Sequence, residues 1–233
     1  MKKRVILFLA APLFFSFFQR AVFARGGVEK IAEASNVETA ALQPLSSDRS
    51  GEPTPISLDL PAPEALGPAQ VILIRHAEKP ETGPDLSDRG RERAQALVDF
   101  FKTNPAVTRH GVPAAIYAGA PVSEGKSLRP IETVTPLSQS LGIKINENFT
   151  RETGAQMAND VMHNPDCAGK TALICWNHGN LPDLLKNFGW DSGPGKWPGG
   201  DVFDRVWILN FENGKPVSFE DIPQHLLPGD SAN

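Results

Sequence analysis

The chain has 233 residues, 23 basic and 27 acidic, for a formal net charge of −4. Acidic overall and without a basic stripe, it is a poor partner for nucleic acid. An anionic ligand must be drawn in by local arginines and not by the global field.

Met1-Lys2-Lys3-Arg4 is a basic start, Val5 to Phe18 is almost wholly apolar, and Val22-Phe23-Ala24 offers small residues for a peptidase. This layout predicts a secretory signal peptide over residues 1–24, cut after Ala24, with an uncleaved N-terminal anchor as the alternative. The apolar run is shorter than the roughly 18–20 residues a membrane span needs. The segment holds four basic residues and no acidic ones, so the mature chain carries 19 basic against 27 acidic residues, or −8. The expected location is periplasmic or secreted, with no membrane attachment after cleavage. Residues 25–67 are rich in Ala, Ser, Pro and Glu, and Pro53, Pro55, Pro61 and Pro63 crowd the second half. Such a composition buries little apolar surface and reads as a linker. Residues 68–233 are left as one domain with room for a sizeable core.

Val71-Ile72-Leu73-Ile74 predicts a buried strand. Ser87 is placed to cap a helix over Asp88–Lys102, with Ala94, Leu97, Val98 and Phe101 on one apolar face. Ala114–Ala118 predicts a second strand. Arg129–Leu141 predicts a helix interrupted by Pro136 and stopped by Gly142. Ile143–Ile145 predicts a short strand, and Thr150–Met162 a helix with Ala155, Ala158, Val161 and Met162 inward. Thr171–Trp176 predicts a strand, and Asn180 a cap for a helix carrying Leu181, Leu184, Leu185 and Phe188, ended by Gly189. Val202–Phe211 and Pro216–Ile222 predict a hairpin around Asn213-Gly214. Strands alternating with helices imply a mostly parallel sheet covered on both faces. Cys175 lies in a strand and Cys167 eight residues back; an extended segment holds them too far apart to pair, so Cys175 is expected as a buried thiol.

Two of these strands end on residues that a buried strand normally avoids. The first ends at Arg75-His76-Ala77, the fourth at Asn177-His178-Gly179. In open α/β sheets, sites form outside the carboxyl ends of strands. Two histidines there, with Arg75 beside one and Arg129 opening a helix, are the parts of a phosphoryl-transfer site. A neutral imidazole nitrogen can attack phosphorus and hold the phosphoryl group. Arginine forks can neutralise charge on its oxygens without metal, and a carboxylic acid must protonate the leaving oxygen. Taken singly, Arg75 could instead pair with Asp85 or Asp88, and His178 could be a satisfied turn histidine. His76-Ala77-Glu78 matches the His-x-Glu of zinc deaminases, but the partner Pro-Cys-x-x-Cys is missing. A metal held by His76, Glu78 and His178 would be repelled by the paired arginines. The Gly193–Gly200 segment reads as a loop that could cover the site, with Trp197 stacking on a substrate. His110, His163 and His225 read as surface residues.

Four segments resemble the histidine phosphatase superfamily, with its phosphoglycerate mutase-like fold. They are Ile74-Arg75-His76-Ala77-Glu78-Lys79, Asp85-Leu86-Ser87-Asp88-Arg89-Gly90 with Arg93-Ala94, Ser127-Leu128-Arg129-Pro130-Ile131-Glu132-Thr133, and Trp176-Asn177-His178-Gly179-Asn180. The resemblance covers residues 70–211 and implies a three-layer α/β/α sandwich with a mostly parallel central sheet. It implies a histidine acid phosphatase-like phosphoric monoester hydrolase with no cofactor, no metal and a small phosphorylated substrate. His76 would be the phosphorylated nucleophile. Arg75 and Arg129 would clamp the phosphoryl oxygens, and His178 would hydrogen-bond the same group. Glu152 is the best positional match for the acid, Glu78 the second choice; Glu132 is assigned to structure. Ala77 stands where mutases usually carry glycine, and their long substrate-binding insert is missing. Gly179 stands where the phytase-like branch has aspartate. The doubtful acid keeps a second expectation open, a non-catalytic phospholigand-binding domain of the cell envelope. The substrate and oligomeric state are not legible.

Overall fold

The computed structural model describes residues 67–231. The expected signal peptide, all of the linker except Gly67, and the last two residues lie outside the described residues. The elements are β1 (Gln70–Arg75), α1 (Asp88–Thr103), β2 (Ala115–Ala118), α2 (Arg129–Leu141), β3 (Ile145–Asn146), α3 (Gly154–His163), β4 (Thr171–Trp176), α4 (Leu181–Asn187), β5 (Arg205–Glu212) and β6 (Lys215–Pro223). They form a six-stranded sheet in the order β3-β2-β4-β1-β5-β6. β1 to β4 run parallel, while β5 and β6 close one edge as an antiparallel hairpin.

All six residues of β1 and of β4 are buried, as expected of parallel strands covered on both faces. Because successive strand side chains alternate, Val71, Leu73, Ala172 and Ile174 pack one way, with Met157 and Val161 of α3 and Leu184 and Leu185 of α4. Ile72, Ile74, Leu173 and Cys175 pack the other way, with Leu97 and Phe101 of α1 and Val134 and Leu137 of α2. The result is the expected three-layer α/β/α sandwich.

Several local expectations hold. The Ser87 hydroxyl accepts from the Gly90 N–H at 3.1 Å and caps α1, and Gly142 ends α2 at φ 68°. Asn213 and Gly214 both take positive φ in the β5–β6 turn, the conformation a tight two-residue hairpin requires. Cys167 and Cys175 are both buried free thiols. Other expectations are corrected. α2 continues without interruption through Pro136, with Val134 and Leu137 buried in the core on either side. α3 starts at Gly154 and not at Thr150. The Thr153 hydroxyl accepts from the Thr150 N–H at 2.9 Å and holds 150–153 as a separate turn. Met157 takes the inward position expected of Ala155, which is exposed. The short strand is Ile145–Asn146, displaced from Ile143–Ile145. Asn180 precedes α4, but its side chain makes no capping bond.

Candidate active site

β1 and β4 are neighbours, with Arg75 opposite Trp176. The pairing continues one step further, since the His76 N–H donates to the Trp176 carbonyl at 3.1 Å. The two strand ends therefore deliver His76 and the turn Asn177–Asn180 side by side. His178 opens that 3₁₀ turn and is half-buried.

His76 is only 6 % exposed. Its Nδ1 lies 2.8 Å from the Ala77 carbonyl, which can only accept; Nδ1 is therefore assigned the proton and Nε2 the lone pair. Burial, reinforced by the charges of Arg75, Arg129 and His178 and opposed by the bond to Ala77, lowers the His76 pKa to about 4. An imidazole that stays neutral in mild acid is a nucleophile over a wide pH range. His178 is lowered as well, by burial first and then by the charges of Arg75 and Lys79.

The segment after His76 is held from below. The Ala77 N–H donates to the Thr133 hydroxyl at 2.9 Å, and that hydroxyl donates to the Arg129 carbonyl. The Glu78 carbonyl accepts from the Ser87 N–H and hydroxyl at 3.0 and 3.2 Å. Gly90 is required here: a Cβ on it would collide with the Glu78 carbonyl. α1 thus docks its first turn against the loop that follows His76.

Arg75 is 2 % exposed and fixed in an unforeseen way. One Nη donates to the carbonyls of Gly199, Gly200 and Val202 at 3.3, 3.1 and 2.8 Å, and the guanidinium lies 3.8 Å from the centre of the Phe203 ring. Neither Asp85 nor Asp88 pairs with it. Its Nε is buried without a partner, a donor left over beside His76. Burial lowers its pKa to about 10, so it remains charged at neutral pH. Phe203 also packs on the His76 ring, with centroids 6.1 Å apart. The Gly193–Gly200 loop is not capped by a free indole. Trp197 is buried, packs on Trp207 at 4.9 Å and donates to the Val202 carbonyl at 2.8 Å, so it cannot stack on a substrate.

Arg129 opens α2, half-buried, and reaches back to the β1–α1 loop. Its Nε donates to the Asp85 carbonyl at 3.0 Å, one Nη to the Ser127 hydroxyl at 3.3 Å and the other to the Gly83 carbonyl. The same residue that would clamp an anion also braces the loop beyond His76.

Glu78 does not have the freedom of an acid. Arg93 grips it with Nε at 3.0 Å and Nη at 2.8 Å, and Arg89 Nε adds a contact at 3.2 Å. Arg93 also bonds both oxygens of Asp230, at 2.6 and 3.0 Å, in the C-terminal tail. Burial alone would lower the Arg93 pKa, but the bonds to Asp230 and Glu78 push it up. Burial alone would raise Asp230, yet Arg93 and the Leu226 and Leu227 N–H groups bring it to about 2. This buried network is structural and takes Glu78 out of any metal-ligand set. Among the described residues no group of three His, Cys, Asp or Glu is placed to hold a metal.

Glu152 sits exposed in the turn before α3, and among the described residues its carboxylate makes no hydrogen bond. Its neighbour Arg151 lines a cavity of about 210 Å³ at the ends of β2 and β4. The turn therefore borders the site without meeting His76 in this structure. Sequence reasoning gave no role to Lys79, Phe203, Thr133 or the Arg93–Asp230 bond. Only Lys79, Thr133 and Arg93 lie inside the four motifs.

No family model matches the chain. No curated protein matches it. Similar solved structures include one assigned as the phosphohistidine phosphatase SixA of Agrobacterium tumefaciens, 16 % identical, covering 66 % of this chain and 98 % of that one with a TM-score of 0.43. A protein histidine phosphatase SixA in complex with tungstate is 12 % identical over 66 % of this chain and 97 % of its own, with a TM-score of 0.45. A phosphoserine phosphatase of Entamoeba histolytica in complex with 3-phosphoglyceric acid is 16 % identical over 68 % and 99 %, with a TM-score of 0.42. These neighbours are proteins of the histidine phosphatase, phosphoglycerate mutase-like superfamily. At identities of 12–16 % and TM-scores below one half, what the present chain does must be read from its own motifs and the geometry around His76.

Proposed function

We propose that this chain is a histidine phosphatase, a phosphomonoester hydrolase that works through a phosphohistidine on His76 and needs no metal. The observation that carries this reading is the His76 ring. It is buried and kept neutral, its Nδ1 proton is spent on the Ala77 carbonyl, and two guanidinium groups and His178 act on it. Nε2 attacks phosphorus and the ester P–O bond breaks; water then attacks the phosphohistidine, releasing phosphate and restoring the imidazole. Arg75, Arg129 and His178 balance charge on the three phosphoryl oxygens. Glu152 protonates the leaving oxygen, a role supported by its position in the β3–α3 turn next to the cavity-lining Arg151 and by the removal of Glu78 into its ion network. The basic and apolar N-terminus supports export of the mature domain to the periplasm or beyond.

A non-catalytic phospholigand-binding domain is favoured by one observation, the exposed and unpartnered Glu152. Hydrolysis of p-nitrophenyl phosphate with chelator present, across acidic to neutral pH, separates the two. Turnover that disappears in His76→Ala supports the enzyme. Absence of turnover, with phosphate or vanadate still raising the Tm, supports the binding domain.

A further inference from the structure

Beyond Arg75 and Arg129, assigned above to the phosphoryl group, Lys126 and Arg151 stand at the same end of the sheet without a function. The cavity at the ends of β2 and β4 is lined by Lys126, Ser127, Arg151, Asn177 and the 119–122 segment. Lys126 and Arg151 are exposed on it, and no aspartate or glutamate belongs to its wall. Among the described residues neither cation lies within salt-bridge distance of a carboxylate. The cavity adjoins the phosphoryl site on two sides: Ser127 accepts from Arg129, and Asn177 precedes His178. Its floor is kept open by Gly119, where a Cβ would stand 3.2 Å from the Trp176 ring. We propose that this cavity is a leaving-group subsite, in which Lys126 and Arg151 recognise a second anionic group on the substrate.

The inference rests on the phosphatase reading and deepens it: the preferred ester carries a carboxylate or a second phosphate beyond the scissile bond. Two uncompensated positive charges in a chain of net charge −4 are a local exception, and a wall without carboxylates leaves them to the ligand. The space suits such a group. A cavity of roughly 150 Å³ holds benzene, and this one measures about 210 Å³.

Three esters of one skeleton test it: phenyl phosphate, 3-carboxyphenyl phosphate and 3-(aminomethyl)phenyl phosphate. The carboxylate is expected to be preferred over the neutral ester by about tenfold in kcat/KM, chiefly through KM, as two charge-assisted contacts at a partly exposed site allow. The cationic ester should be the poorest. In Lys126→Met/Arg151→Met the carboxylate-to-neutral ratio should fall to about one, with each single variant giving part of the loss. Lys144→Met, at the opposite end of β3, should leave the ratio as it is. Equal kcat/KM for the three esters, or a ratio the double variant does not move, overturns the subsite and leaves the phosphatase reading standing. Failure to turn over any ester overturns that reading instead. The subsite is then decided by thermal shifts with phenylphosphonate and 3-carboxyphenylphosphonate. A larger shift for the carboxylate, lost in the double variant, supports it, and equal shifts overturn it.

Discussion

At the end of β1 nearly every polar group is committed, the Arg75 Nε excepted, whereas at the end of β4 almost none is. Arg75 is bound to three loop carbonyls and covered by Phe203, and His76 is buried with Nδ1 satisfied. Behind them Arg93 locks Glu78 and Asp230 together. His178, at the end of β4, is half-buried in a single 3₁₀ turn, and among the described residues its side chain has no hydrogen bond. The cavity beside it is walled by exposed Lys126 and Arg151. On the proposed function, the β1 end is a fixed reaction centre and the β4 end a surface whose groups find their partners in the substrate. Damage at the first should therefore strike turnover or folding, and damage at the second should alter how substrates are handled.

The largest effect is expected for His76→Ala, which should cut phosphatase turnover at least about a thousandfold, because no other group can form the covalent intermediate. Steady-state kinetics on purified protein would read this, and substantial residual turnover would break the contrast. Next comes Arg93→Met, which leaves the buried Glu78 and Asp230 carboxylates with only the partly exposed Arg89 as a counter-charge. It should destabilise the fold by about 3–5 kcal/mol in urea denaturation. A loss under about 1 kcal/mol would mean that the network is relaxed by water. His178→Ala should lower kcat/KM by roughly a hundred- to a thousandfold, the range of one lost charge-stabilising donor. It should leave the urea midpoint almost unchanged, since the ring holds nothing else.

Glu152→Gln sharpens the comparison further. A good leaving group such as p-nitrophenolate departs without a proton, but an alkoxide does not. The variant should therefore lose about tenfold on an alkyl phosphate and little on p-nitrophenyl phosphate. Equal losses on both would remove Glu152 from the acid's role. The smallest effect is a slope with pH. His76 has its folded pKa lowered to about 4 from 6.5, so between these values the unfolded chain binds a proton that the folded one does not. Stability is accordingly lost as pH falls through that window. His76→Asn should flatten this part of the curve, and an unchanged slope would place the proton uptake elsewhere.

The sheet and its two histidines were legible because their signals are local. β1 and β4 are unbroken apolar runs ended by charged or polar residues, Ser87 stands three residues before the Gly90 N–H it caps, and Asn213-Gly214 specifies its own turn. What stayed hidden depends on partners far along the chain. The Arg75 contacts lie 124 to 127 residues away, and the Arg93–Asp230 bond spans 137. Neither has a periodicity to betray it. Trp197 sits among glycines and prolines and reads as a loop tip, yet Trp207 gives it a core to enter. The start of α3 was misplaced because one hydroxyl, on Thr153, competes with the helix for the Thr150 backbone. The acid is the least legible part. Glu152 takes its position from a turn and not from a strand, so neither burial nor pairing marks it.

The most direct measurement is to trap the covalent intermediate. The protein is mixed with a fast-reacting phosphomonoester, quenched in alkali within milliseconds, digested and mapped by mass spectrometry. A phosphoryl adduct on His76, stable in alkali, labile in acid and missing in His76→Ala, is the expected result. Steady turnover with no adduct at any time, or an adduct on another residue, would contradict the assignment of His76 as the nucleophile.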